Sequence, residues 1–173
     1  QADQYAAPTR ATDLSNLPFL IGSAEIGTKV MNDRELRTKF LDAEHKGVKL
    51  LMLFTHQPGQ IHTTKKPVTS LADLKGMRIR FPNYRCAGLR VRRERLEPGE
   101  TQTIGGTPVG VTPTELLEQL QKGTIDGAMQ DYGGAGIAFK LGGTVKYTTE
   151  VYAYVTSFGF AMNPDFYNKL PAD

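Results

Sequence analysis

The chain has 173 residues, 39% hydrophobic and 23% charged, with 18 glycines and 10 prolines, a composition that excludes disorder, collagen and coiled coil. Lys plus Arg number 21 against 18 Asp plus Glu, and the net charge of +3 is too mild to imply nucleic acid but suits a small anionic partner. No stretch approaches the roughly 18–20 apolar residues of a membrane-spanning helix, and one cysteine, Cys86, excludes an internal disulfide. Gln1 is not preceded by a basic or apolar leader, so any export signal has been removed or lies outside this sequence.

In chain order, Ser23 reads as the N-cap of a helix with Glu25 in its first turn. Ile26, Val30, Leu36, Phe40 and Leu41 predict the apolar face of two short helices, broken near Asn32 and Asp33 and stopped at Gly47. Residues 48–54 (VKLLMLF) predict a buried strand. Residues 55–67, with Pro58, Gly59 and a polar run, predict a loop or exposed crossing segment and a candidate hinge. Ser70 and Asp73 predict a capped one-turn helix ended by Gly76, followed by a strand over 77–81 that stops at Pro82.

A strand over 107–111 comes next, then a helix start in which Thr112 caps, Pro113 takes the first position and Glu115 the third. Leu116, Leu117 and Leu120 face the core and Gly123 ends the helix; a further strand over 125–129 makes a βαβ unit with parallel strands. Residues 137–141 predict helix. The β-prone run 151–162 predicts one strand long enough to cross between two lobes. Asn163-Pro164-Asp165 opens a last helix that Asp173 cuts short, which predicts a truncated chain.

Enzyme chemistry finds little support. Cys86 with His56 or His62 would need a nucleophile elbow or oxyanion motif, and none accompanies it. His45, His56 and His62 are too scattered for a zinc site and read as surface or loop residues. Gly133, Gly134 and Gly136 make no nucleotide-binding fingerprint. The arginines of residues 85–95 read as a solvated basic segment, with an anion- or nucleic-acid-binding module as the alternative, although no aromatics are interleaved.

The segments LADLKGMRIRFPN, GGTPVGVTPTELLEQLQKGTIDGAMQ and KLGGTVKYTTEVYAYVTSFGFAMNPDFYNKLPAD, in that order, resemble the periplasmic solute-binding proteins of TRAP transporters, of the C4-dicarboxylate-binding type. The resemblance runs from about Asn16 to Asp173, with a gap at 86–103 where this chain is longer and more basic than the family pattern. It implies an α/β, periplasmic binding protein-like fold of two lobes, here incomplete, with a parallel or mixed sheet flanked by helices. Residues 1–59 would be part of lobe 1, 60–155 most of lobe 2, and 156–173 a return strand and helix start of lobe 1. It further implies a periplasmic, non-enzymatic protein without a cofactor. Such a protein captures a small carboxylate by lobe closure and passes it to TRAP membrane permease subunits. The alternative is a truncated relic without ligand, whose exposed apolar surface would drive self-association.

By the same resemblance Arg80 matches the carboxylate-binding arginine, a role that suits guanidinium because its fork meets a carboxylate bidentately. Strand alternation alone does not separate Arg80 from Arg78. Asn83 stands where the family has a polar ligand contact and also reads as a turn residue after proline. Gln130 matches an amide ligand; Asp131 would repel an acid and reads as orienting Arg80 or a water. Gln60 replaces an arginine that many relatives carry. Pro113 sits at a helix start that favours anions, where simple capping is the other reading. Tyr154 and Phe158 would wall the cleft or pack in the core.

Overall fold

The computed structural model describes residues 10–81 and 106–171. Asn83, Cys86 and the arginines of 85–95 lie outside the described residues. Two compact units form, residues 1–56 with 154–173, and residues 57–153. Among the described residues no helix is long and apolar enough to cross a membrane.

The first unit holds helices α1 (Arg10–Leu14), α2 (Ala24–Met31), α3 (Arg34–Leu36) and α4 (Asp42–Glu44), with a π-helical turn, Arg37–Leu41, between the last two. Strand β1 (Lys49–Thr55) pairs antiparallel with β7 (Ser157–Met162), and helix α6 (Pro164–Tyr167) follows β7. As expected, Ser23 caps α2 by accepting the Ile26 N–H at 3.1 Å, and Asn163 caps α6. The expected helical face is displaced. Gly27, Met31 and Leu41 are buried, whereas Ile26, Val30, Leu36 and Phe40 are exposed. Glycine sets this rotation: a Cβ on Gly27 would stand 2.3 Å from Thr55 Oγ1, so α2 meets β1 backbone-close along its glycine rather than along its branched residues. Met31, Leu41, Leu50 and Leu53 form the core there.

Side chains of the helical segment also cover the edge of β1 that β7 leaves open. Asn32 accepts the Leu53 N–H at 3.1 Å and donates to the Leu53 carbonyl, as a neighbouring strand would. Thr28 Oγ1 accepts the Thr55 N–H at 3.2 Å, and Arg37 donates to the Leu50 carbonyl at 3.0 Å. His45, expected at the surface, is buried with its Nδ1 2.8 Å from the Leu41 carbonyl.

The second unit is a five-stranded mixed sheet in the order β4-β3-β5-β2-β6. Its strands are β2 (Gln60–Thr63), β3 (Arg78–Arg80), β4 (Thr107–Val109), β5 (Gly127–Gln130) and β6 (Tyr147–Thr149). The parallel βαβ reading holds: β4 and β5 both run parallel to β3, one on each side. Helix α5 (Leu116–Gln121) covers the sheet through Leu116 and Leu120, which pack with Ile125, Ala128, Ala135 and Leu141.

Four expectations are corrected here. The segment read as a loop contains β2, wholly buried between β5 and β6, because tertiary partners satisfy its polar residues. The run 151–162 is strand only from Ser157. Thr112 does not cap α5; it bonds the Glu115 carboxylate at 2.7 Å, residues 113–115 form a turn, and the helix begins at Leu116. The helix expected over 137–141 is a π turn, Gly134–Ala138, followed by a 3-10 turn, Leu141–Gly143.

Asp126 braces the entry to β3. Its carboxylate accepts from the Arg78 backbone N–H at 2.9 Å and from Arg78 Nε at 3.1 Å, while Arg78 Nη2 reaches the Gly123 carbonyl. The Arg78 guanidinium holds the Asp126 carboxyl down to about 2. Arg78 is thereby committed to the fold.

Candidate functional site

Parallel strands end where ligands of open α/β sheets gather. At that edge β3 ends in Arg80 and β5 in Gln130, and antiparallel β2 begins there with Gln60 opposite Gln130. Arg80, 1% exposed, is the largest fully buried side chain among the described residues. A buried guanidinium needs acceptors and a compensating charge. Arg80 Nε donates to the Val111 carbonyl at 3.1 Å and Nη1 to Gln130 Oε1 at 3.1 Å.

Gln130 is held in turn. Its Nε2 donates to Asp131 Oδ2 at 2.8 Å, while the Gly134 N–H donates to Asp131 Oδ1 at 2.7 Å. The carboxylate accepts only, so it selects the amide orientation that turns Oε1 towards Arg80. Asp131 therefore acts on Arg80 through Gln130, supplying negative charge one amide away. Gly134 leaves room for this pair: a Cβ there would stand 2.3 Å from Gln130 Nε2 and 2.8 Å from Asp131 Oδ2, so one of the two side chains would have to shift.

His62, expected in a loop, is 2% exposed in β2 and belongs to the same set. Its Nε2 lies 3.0 Å from the Gln130 carbonyl and its Nδ1 2.9 Å from Thr148 Oγ1. Burial pushes its pKa below 6.5, against the opposing pull of the Gln130 carbonyl and of Asp131. The Tyr132 ring stands edge-on to it at 5.9 Å, and the Tyr132 hydroxyl donates to Glu150 at 2.8 Å. Neither His62 nor Gly134 was placed at this site from the sequence. Alternation of Gln60 and His62 in a β2 read as strand would have found the histidine.

The other expected residues are engaged differently. Gln60 Oε1 accepts the backbone N–H groups of Val151 at 2.7 Å and Tyr152 at 3.0 Å, and Gln60 Nε2 donates to the Pro58 carbonyl. It clamps the irregular segment after β6, where Tyr152 has a positive φ of 47°. Pro113 is exposed on the turn before α5, beside an open hollow that Leu117, Phe139 and Lys140 also line. Tyr154 and Phe158 belong to the first unit, Tyr154 buried edge-on against His56 and Phe158 stacked on Phe54 at 5.4 Å.

A buried guanidinium with an oriented amide and a carboxylate behind it is chemistry that can hold a small anion. Residues 3–173 match the DctP family, described as bacterial extracellular solute-binding protein, family 7. A TRAP solute-binding protein from an unidentified marine metagenome microbe, specific for aromatic acids and solved with 3-hydroxybenzoate, is 30% identical with a TM-score of 0.75 over 93% of this chain and 47% of its own. One from Rhodoferax ferrireducens, with copurified benzoate, is 27% identical with a TM-score of 0.75 over 94% and 48%. One from Bordetella bronchiseptica, with bound mandelate, is 26% identical with a TM-score of 0.72 over 96% and 50%. This chain thus spans about half the length of these relatives. The match over nearly every residue makes the chain a member of the bacterial extracellular solute-binding proteins of family 7.

Proposed function

We propose that this chain carries the carboxylate-capturing part of a periplasmic TRAP solute-binding protein, which would deliver a small organic acid to membrane permease subunits. The family binds solutes for transport and is not an enzyme family. The observation that carries the reading is Arg80, buried at the ligand-side edge of the sheet with its Gln130 partner fixed by Asp131. Residues 57–153 would be the lobe that owns this arginine. An aromatic monocarboxylate is the sharper ligand class, because three relatives at 26–30% identity hold 3-hydroxybenzoate, benzoate and mandelate.

Calorimetric titration of the full chain with benzoate, and with succinate for comparison, tests this. Benzoate is expected to bind and succinate to bind more weakly. Arg80→Lys keeps the charge but not the fork, so benzoate affinity should fall by about 1.5–3 kcal/mol, roughly ten- to a hundredfold, with an unchanged circular dichroism spectrum. Equal affinity in the variant would remove Arg80 from the site. Absence of heat from every acid tried would defeat the reading.

A further inference from the structure

His62 has both ring nitrogens engaged, and the partners dictate its protonation. The Gln130 carbonyl only accepts, so Nε2 carries the proton, and Nδ1 accepts from the Thr148 hydroxyl. This neutral tautomer ties β6 to the residue whose side chain faces Arg80. A second proton, on Nδ1, would turn the Thr148 bond around. It would also place a buried cation near Asp131, the carboxylate that orients the Gln130 amide. That charge would pull on the Asp131 carboxylate and so disturb the acceptor that fixes the Gln130 amide.

We propose that His62 is a positioning residue for the Arg80, Gln130 and Asp131 set, and that capture of the acid weakens as acidification protonates its ring. The inference rests on the carboxylate-binding reading above. Among the described residues, the charged and titratable groups near the ring are Asp131, which favours the imidazolium, Tyr132, whose phenol is bonded to Glu150, and Arg80, which shares the sheet row of His62 across Ala128; Thr148 on β6 is uncharged. Burial outweighs the pull of Asp131 and keeps the ring neutral near neutral pH.

The test is benzoate titration of the full chain from about pH 8 to about pH 5, a range in which a carboxylic acid near pKa 4 stays largely ionised. The unaltered protein should lose affinity by up to about tenfold per pH unit below the ring's titration point. His62→Gln offers an amide donor to Gln130 and an acceptor to Thr148 but has no proton to gain. Whatever its affinity at the alkaline end, it should show a flat profile of affinity against pH. A flat profile in the unaltered protein, the same slope in both, or affinity rising with acid would overturn the proposal. Should benzoate bind at no pH, the carboxylate reading fails by itself, and nitrogen-15 resonances of the ligand-free protein decide for His62. Gln130 side-chain amide signals that shift with the His62 titration, and not in His62→Gln, support the positioning role. Signals indifferent to that titration refute it.

Discussion

At the scale of single residues, the site depends on groups that hold other groups. Arg80 meets Gln130, Gln130 meets Asp131, and Asp131 is seated on the Gly134 N–H. Gly134→Ala should therefore act at a distance. Its methyl would enter the space of the Gln130 amide and cost about 1–3 kcal/mol as local overpacking. Thermal melts should show a lower midpoint, and benzoate affinity should fall although residue 134 presents no side chain to a ligand. A variant with unaltered melting and binding would show that the amide has room to move. Arg78 and Arg80 illustrate how far the sequence could be read. Two residues apart in one strand, they look equivalent by alternation, and only the resemblance chose Arg80. The structure separates them physically, since Asp126 and the Gly123 carbonyl engage Arg78 while Arg80 lies against Val111 and Gln130.

At the scale of elements, strands with apolar residues were legible and strands with polar ones were not. β1 and the parallel strands announced themselves by hydropathy and by bounding turns. β2, with the sequence QIHT, did not, because Gln60, His62 and Thr63 find their partners in residues far along the chain: Val151 and Tyr152, Thr148 and Gln130, and Lys66 nearer by. Buried polar strands are stabilised by tertiary hydrogen bonds that no local pattern reveals. The covered edge of β1 is a similar case. Asn32 supplies the bonds of a missing strand, so Asn32→Ala should leave the Leu53 N–H and carbonyl without their partner and lower stability by about 1–3 kcal/mol in urea unfolding. An unchanged unfolding midpoint would mean that water replaces the amide at no cost.

For the whole molecule, the first unit presents much apolar surface among its described residues. Phe19, Phe40, Phe160 and Phe166 are each more than half exposed, and its sheet has two strands only. Exposed apolar area on this scale promotes association. Sedimentation of the chain is expected to show mass rising with concentration, and replacing Phe40 and Phe160 by serine should reduce that rise. A mass constant across the dilution series would show that these faces do not drive association.

The order of the chain has a consequence for synthesis. Residues 57–153 lie between β1 and β7, which pair Lys49 with Met162, and the Ala153 N–H donates to the Gly59 carbonyl at 3.0 Å, holding the ends of this insertion side by side. Every strand of the five-stranded sheet is translated before β7 and emerges from the ribosome ahead of it. The sheet that bears Arg80 can therefore begin to pair before its host unit receives β7, and by drawing Gly59 and Ala153 together it shortens the loop that closes on β7.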